Sequence, residues 1–216
     1  MMLVTGAAGF IGSHVHDKLL QLGYRTIAID NFSTSYYTKE NCPHNIIDYN
    51  LGDGRLDTIL QGGGHIDTIF HVAARARIPA SVEQPDEYYR NNILSLLEVL
   101  EFARTHKVKR IVYSSSSSVT YPNNPYAHTK LIGEQMCELY SMLYGIECIS
   151  LRYFNVFGER MAHGGYATVL QKFIDAKASG EPLIVHGGGI YRRDFTYVTD
   201  VVPWHNLHGP FVPQIH

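Results

Sequence analysis

The chain has 216 residues, 45% hydrophobic and 18% charged, enough apolar material for one globular domain with a sizeable core. A formal net charge of −2 excludes general electrostatic attraction to nucleic acid or to an anionic membrane. Cys42, Cys137 and Cys148 are odd in number and far apart, which argues against a disulfide framework and suits a reducing, cytoplasmic setting.

Residues 1–6 are apolar but run straight into glycines and lack a basic n-region, so they read as a buried strand and not as a signal peptide. No apolar run is long enough to span a bilayer. Short apolar runs at 2–5, 25–30, 45–49, 68–72, 110–115 and 147–152 predict strands; 11–22, 88–106 and 126–144 carry helical apolar spacing. In the second helix Ile93, Leu96, Leu97, Leu100 and Ala103 form one stripe, the mark of a core-facing or interface helix. This alternation predicts an α/β fold with a doubly wound parallel sheet, whose ligands sit at the carboxyl ends of the strands. There is no internal repeat. Beyond Asp200 the prolines Pro203, Pro210 and Pro213 interrupt any helix.

Gly6-Ala7-Ala8-Gly9-Phe10-Ile11-Gly12 follows the first strand and opens the first helix. Glycine lets the backbone approach a pyrophosphate, while the helix N-terminus supplies N–H donors and positive potential. Asp30 ends the second strand eighteen residues after Gly12, where a carboxylate can accept from ribose hydroxyls and repel a 2′-phosphate. The expected cofactor is therefore NAD in preference to NADP.

Tyr126 and Lys130 stand one helical turn apart on one face. An unperturbed phenol titrates near pH ~10, and a neighbouring ammonium is expected to lower that value. Tyr126 could then take a proton from a substrate hydroxyl as hydride leaves the same carbon. A serine hydroxyl would orient that oxygen, and the strand at 110–113 delivers five serines, 114–118, beside it. Only residues 117–125 separate that strand from Tyr126; ten residue steps span at most roughly 33–36 Å, so the return is easy. Twelve histidines form no metal constellation in the sequence. His14 and His16 leave a helix in different directions, and His205 and His208 lack a third ligand. No metal is expected.

Taken in order, the glycine motif, Asp30-Asn31, His71-Val72-Ala73-Ala74, Asn91-Asn92, the serine strand, Tyr126 with Lys130, residues 152–158 and Arg193-Asp194-Phe195 are specific as a set. They resemble the extended short-chain dehydrogenase/reductases of the NAD-dependent epimerase/dehydratase kind, above all the UDP-sugar 4-epimerases. The resemblance covers residues 2–202. It implies a Rossmann domain over residues 1–155, and a reduced substrate-binding subdomain and tail over 156–216. It implies Asp48 and Tyr49 near the adenine and Ala73 and Ala74 along the cofactor groove, with Phe10, Ile11, Asn31, Val72, Ser114 and Tyr153 in the same cofactor set. Asn92 resembles the asparagine that supports the active-site backbone. Ser116 would be the catalytic serine, with Ser117 the alternative; Tyr126 the base; and Lys130 the ribose-binding lysine. Phe154 and Asn155 look like the turn where nicotinamide and sugar phosphate meet, and Arg193 like the arginine that pairs with the UDP diphosphate.

Two departures from the family pattern stand out. The segment before Tyr126 is short, and the chain stops where relatives continue into a domain that grips the nucleotide base. The activity implied is 4-epimerisation of a UDP-hexose in a homodimer. The alternatives are a nucleotide-sugar 4,6-dehydratase-like enzyme, disfavoured because Ser117 and Ser118 stand where an acidic pair is needed, and a catalytically weak NAD- and UDP-sugar-binding dimeric module.

Overall fold

The computed structural model describes residues 1–161, 168–190 and 192–202. In chain order the elements are β1 (Met2–Thr5), α1 (Phe10–Gln21), β2 (Thr26–Asp30), β3 (Ile47–Asp48), α2 (Leu56–Ile59), β4 (Thr68–His71), α3 (Ile78–Glu83) and α4 (Pro85–Tyr89). There follow α5 (Ser95–Thr105), β5 (Arg110–Ser116), α6 (Pro125–Tyr144), β6 (Glu147–Tyr153), β7 (Asn155–Phe157), α7 (Val169–Ser179), β8 (Phe195–Tyr197) and α8 (Val198–Val201). The first six strands form one sheet in the order β3-β2-β1-β4-β5-β6, every pair parallel. The order reverses between β1 and β4, which opens a crevice at their carboxyl ends. β7 and β8 pair in a separate two-stranded sheet.

Period-two alternation splits the apolar residues between two cores. Leu3, Ile29, Ile69 and Ile111 face one side and meet Leu96, Val99, Leu100 and Ala103 of α5. Val4, Ala28, Phe70 and Val112 face the other and meet Val15 and Leu19 of α1. The sheet is therefore covered on both faces, and its strands read as nearly continuous apolar runs.

Four expectations change. The strand expected at 45–49 pairs only over Ile47–Asp48. The helix expected at 88–106 is broken: Pro85 starts α4, a π-helical turn occupies Arg90–Leu94, and α5 begins at Ser95. The wider turn carries Asn92, buried, whose side chain bonds the Arg75 backbone. Leu97 also leaves the expected stripe: it is 39% exposed, while Val99 and Phe102 are buried in its place. α6 begins one residue earlier than expected, because Pro125 suits the first helical position and Asn124 Oδ1 accepts from the Ala127 N–H at 2.9 Å. The tail prolines, His205 and His208 lie outside the described residues.

Candidate active site

A cleft of about 310 Å³ opens at the carboxyl ends of β1, β2, β4, β5 and β6. Its floor is the turn after β1. Gly6 has φ 68°, and a Cβ there would lie 2.7 Å from the Ala73 nitrogen. Gly12 is packed more tightly still, since a Cβ would stand 1.9 Å from the Gly6 carbonyl oxygen. Any side chain at either position would push the turn, β4 and α1 apart. Gly9 caps α1 with no side chain answering the first-turn N–H groups, and that turn has no acidic residue. Gly9, Phe10, Ile11 and Gly12 line the cleft, so these N–H groups are available to an anionic oxygen. These features fit a dinucleotide.

Asp30 ends β2 at the cleft wall, and its carboxylate already organises the turn. Oδ2 accepts from the Ala8 N–H at 2.9 Å, while Oδ1 accepts from the Phe32 N–H at 2.8 Å and the Ser35 hydroxyl at 2.7 Å. Asn31 lies beside it, donating to Asn50 Oδ1 at 2.7 Å. One carboxylate thus joins the glycine turn to the loop after β2.

Tyr126, in the first turn of α6, and Ser116, at the end of β5, line the same cleft. Ser117 is absent from its wall, so the geometry favours Ser116 of the two serines. The Ser116 oxygen accepts from Ser118, from the N–H at 3.2 Å and the hydroxyl at 2.8 Å. Burial pushes the Tyr126 phenol above its ordinary pKa, and the Ser116 hydroxyl and then the Arg77 charge pull it back. This corrects the expectation about Lys130. Its ammonium donates 2.7 Å to the Ser114 carbonyl and lies 5.0 Å from the centre of the Tyr113 ring. The cation that acts on Tyr126 in this arrangement is Arg77. Burial lowers Lys130 itself to about 8.

The loop after β4 holds the remaining wall. Asn92 Oδ1 accepts from the Arg75 N–H at 2.8 Å, and Nδ2 donates to the Arg75 carbonyl at 3.1 Å and to Thr129 Oγ1 at 3.0 Å. Tyr88 donates to the Ala76 carbonyl at 2.8 Å and stands edge-on to Tyr126, with ring centroids 6.4 Å apart. Arg77 has φ 109° and ψ 118°, a region that residues with a Cβ rarely occupy, and it lines the cleft.

Among the residues expected from sequence, Val72, Ala73, Ala74, Tyr49 and Tyr153 also line the cleft. Tyr49 is buried and its hydroxyl donates 2.6 Å to Glu98. The Ser114 and Tyr153 hydroxyls are 3.2 Å apart. Asp48 is exposed, paired with Lys39 and off the cleft wall. Asn155 and Arg193 are brought near each other by β7 and β8 but do not line the cleft. Asn155 Nδ2 donates to the Asp194 carbonyl at 3.0 Å, and Arg193 donates to the Arg192 carbonyl at 2.7 Å. Phe154 is 56% exposed on the cleft wall and is not a core residue. Arg77 and Tyr88 were missed; the only sequence signal was a pair of arginines, 75 and 77, directly after a strand end.

The profile of the NAD dependent epimerase/dehydratase family matches residues 2–207. A putative UDP-glucose 4-epimerase of Methanocaldococcus jannaschii is 36% identical over 93% of this chain and 70% of its own length. The solved UDP-glucose 4-epimerase of Thermotoga maritima with UDP-glucose superposes with TM-score 0.86 at 33% identity, over 94% of this chain and 71% of that one. The Thermus thermophilus UDP-glucose 4-epimerase, solved in complex with NAD, gives TM-score 0.85 at 31% identity, over 95% and 73%.

Proposed function

Because the chain belongs to the NAD-dependent epimerase/dehydratase family, with NAD as its cofactor, we propose that it interconverts UDP-hexoses at C4. The observation that carries this reading is the Ser116–Tyr126 pair on the wall of the cleft floored by the glycine turn. NAD, when bound there, would supply a reversible hydride acceptor for the sugar C4, and the configuration inverts only if the 4-keto sugar turns over before the hydride returns. The Tyr126 oxygen takes the C4 hydroxyl proton and later returns it. The Ser116 hydroxyl orients the same oxygen. Arg77 favours the phenolate against the effect of burial. Lys130, fixed on the Ser114 carbonyl beneath the cleft, is assigned to the cofactor ribose. Asn155 and Arg193 are assigned to the sugar and the diphosphate, which requires the β7–β8 sheet to approach the cleft when substrate enters.

The T. maritima relative was solved with UDP-glucose, which supports UDP as the carrier. A homodimer is part of the same proposal: Leu97 on α5 and Leu139, Met142 and Leu143 on α6 are exposed apolar side chains, and light scattering at micromolar concentration reads the mass. The chain spans about 70% of the length of the relatives it matches.

The test is conversion of UDP-galactose to UDP-glucose by NAD-loaded protein, with the N-acetyl forms and UDP-glucuronate in the panel. Tyr126→Phe is expected to lower turnover by roughly 10²–10⁴-fold while NAD stays bound. A protein that binds NAD yet converts none of these sugars is a binding module, and the enzymatic reading fails.

A further inference from the structure

Outside the cleft the fold joins three side chains that the chain keeps apart. His16 and Asp17 lie on α1, and His44 comes from the connection between β2 and β3. The His16 and His44 rings meet edge-on with centroids 4.8 Å apart, and His44 Nε2 is 2.6 Å from Asp17 Oδ1. Arg160 donates to the other oxygen, Asp17 Oδ2, at 2.6 Å and to the Ser13 hydroxyl at 3.0 Å. His16 is 4% exposed; its Nε2 is 3.1 Å from Thr26 Oγ1, and its Nδ1 is buried with no hydrogen-bond partner among the described residues. One ligand atom from each of the three side chains lies within 4.8 Å of the others.

We propose that His16, Asp17 and His44 form a structural site for a divalent transition metal of the zinc class. An unpaired polar atom in the interior carries an uncompensated desolvation cost, and a metal ion answers it. With Nε2–H donating to Thr26, His16 presents the bare Nδ1 lone pair that metal ligation requires, and Thr26 is the outer partner that fixes this tautomer. Arg160 plays the same part for Asp17, holding Oδ2 and leaving Oδ1 to the ion. Two imidazoles and a carboxylate suit zinc, with water in a fourth position. Tetrahedral zinc at ~2.0–2.1 Å from nitrogen holds its ligands roughly 3.3 Å apart. The side chains of Asp17 and of His44, on its connecting segment, must therefore draw in slightly, and His44 must give up the proton it shares with Asp17. None of the three residues lines the cleft, so the ion would pin the segment after β2 to α1 and take no part in turnover. The sequence expectation of no metal did not weigh this trio, because His44 lies 28 positions from His16 and only the fold brings the two together.

The test uses the whole chain, stripped of metal and titrated with Zn²⁺ by calorimetry, and with Co²⁺ followed by visible absorption. One equivalent of Zn²⁺ and intense four-coordinate Co²⁺ bands are expected. His44→Gln should weaken Zn²⁺ binding by about 100-fold or more, the upper end of what losing even an outer partner costs. His14→Gln, on the same helix but bonded to the Glu159 carbonyl, should leave it unchanged. Equal binding by the wild type and a folded His44→Gln, or weak six-coordinate Co²⁺ bands in the unaltered chain, overturns the site. The Co²⁺ spectrum decides the matter even if the variant does not fold.

Discussion

Asp30 is asked to do two things at once. Its carboxylate accepts three hydrogen bonds that hold the glycine turn and the next loop together, and it is also the group expected to face the adenosine ribose. Asparagine keeps the shape but replaces one acceptor oxygen with a donor, so at least one of the Ala8, Phe32 and Ser35 partners is left facing an N–H. Asp30→Asn should therefore cost about 1–3 kcal/mol of stability and also weaken the preference for NAD over NADP. Urea unfolding and paired cofactor titrations read the two effects separately. A variant of unchanged stability would show that the carboxylate does not organise the turn.

Lys130 gives a second residue-scale prediction, and its sign follows from burial. Its folded pKa is about 8, below its ordinary value, so between that value and about 10.4 the unfolded chain holds a proton that the folded chain has lost. Stability attributable to this residue therefore rises with pH across that window, and the full penalty is present below pH 8. Relative to Lys130→Met, the wild type should gain roughly 2 kcal/mol between pH 8 and pH 9.5. A difference that stays constant with pH would mean the ammonium is not desolvated by the fold.

At the scale of elements, α6 is placed by a missing side chain. Gly133 lies where the helix crosses β5, and a Cβ there would fall 2.2 Å from the Tyr113 hydroxyl. Helix propensity alone favours Gly133→Ala by about 1 kcal/mol, yet the overpacked variant must move either Tyr113 or the helix. Tyr113 is 1% exposed and stacks on His71, so the helix should give way. We expect Gly133→Ala to be destabilised by about 1–3 kcal/mol and to lose turnover by displacing Tyr126 from Ser116. A more stable, fully active variant would contradict this packing.

This close approach was not legible in the sequence, where Gly133 reads only as a weak spot in a helix. The inner strands were legible, because parallel strands buried on both faces leave apolar runs of recognisable length, whereas the edge strand β3 pairs over only Ile47–Asp48 and is exposed at Asp48. So was the Tyr126–Lys130 spacing, since one helical turn is a local property. The π-turn was not: residues 88–106 have continuous helical spacing, and the break is imposed by the tertiary bonds of Asn92 to Arg75. Lys130 fell between these cases. Its helix face was right, but its charge points to the Ser114 carbonyl, a partner set by where β5 ends.

For the molecule as a whole, the polar column Thr5–His71–Tyr113–Lys130 runs through the centre of the sheet, directly below the cleft. The Thr5 hydroxyl bonds His71 Nδ1 at 3.0 Å, His71 stacks on Tyr113 with ring planes 14° apart, and Tyr113 underlies Lys130. Burial, and then the charge of Lys130, lower His71 to about 3. Below about pH 6.5 the unfolded chain therefore binds a proton that the native chain refuses, and stability falls as the pH drops. The slope from this one residue is roughly 1.4 kcal/mol per pH unit, or about 2 kcal/mol by pH 5. A domain of this size is stable by only about 5–15 kcal/mol, so that loss is a large fraction of the margin. Urea unfolding at pH 7, 6 and 5 should show this decline in the wild type, and a smaller one in His71→Asn, which keeps a polar partner for Thr5 but cannot take up the proton. If the two proteins lose stability in parallel, His71 is not the titrating group.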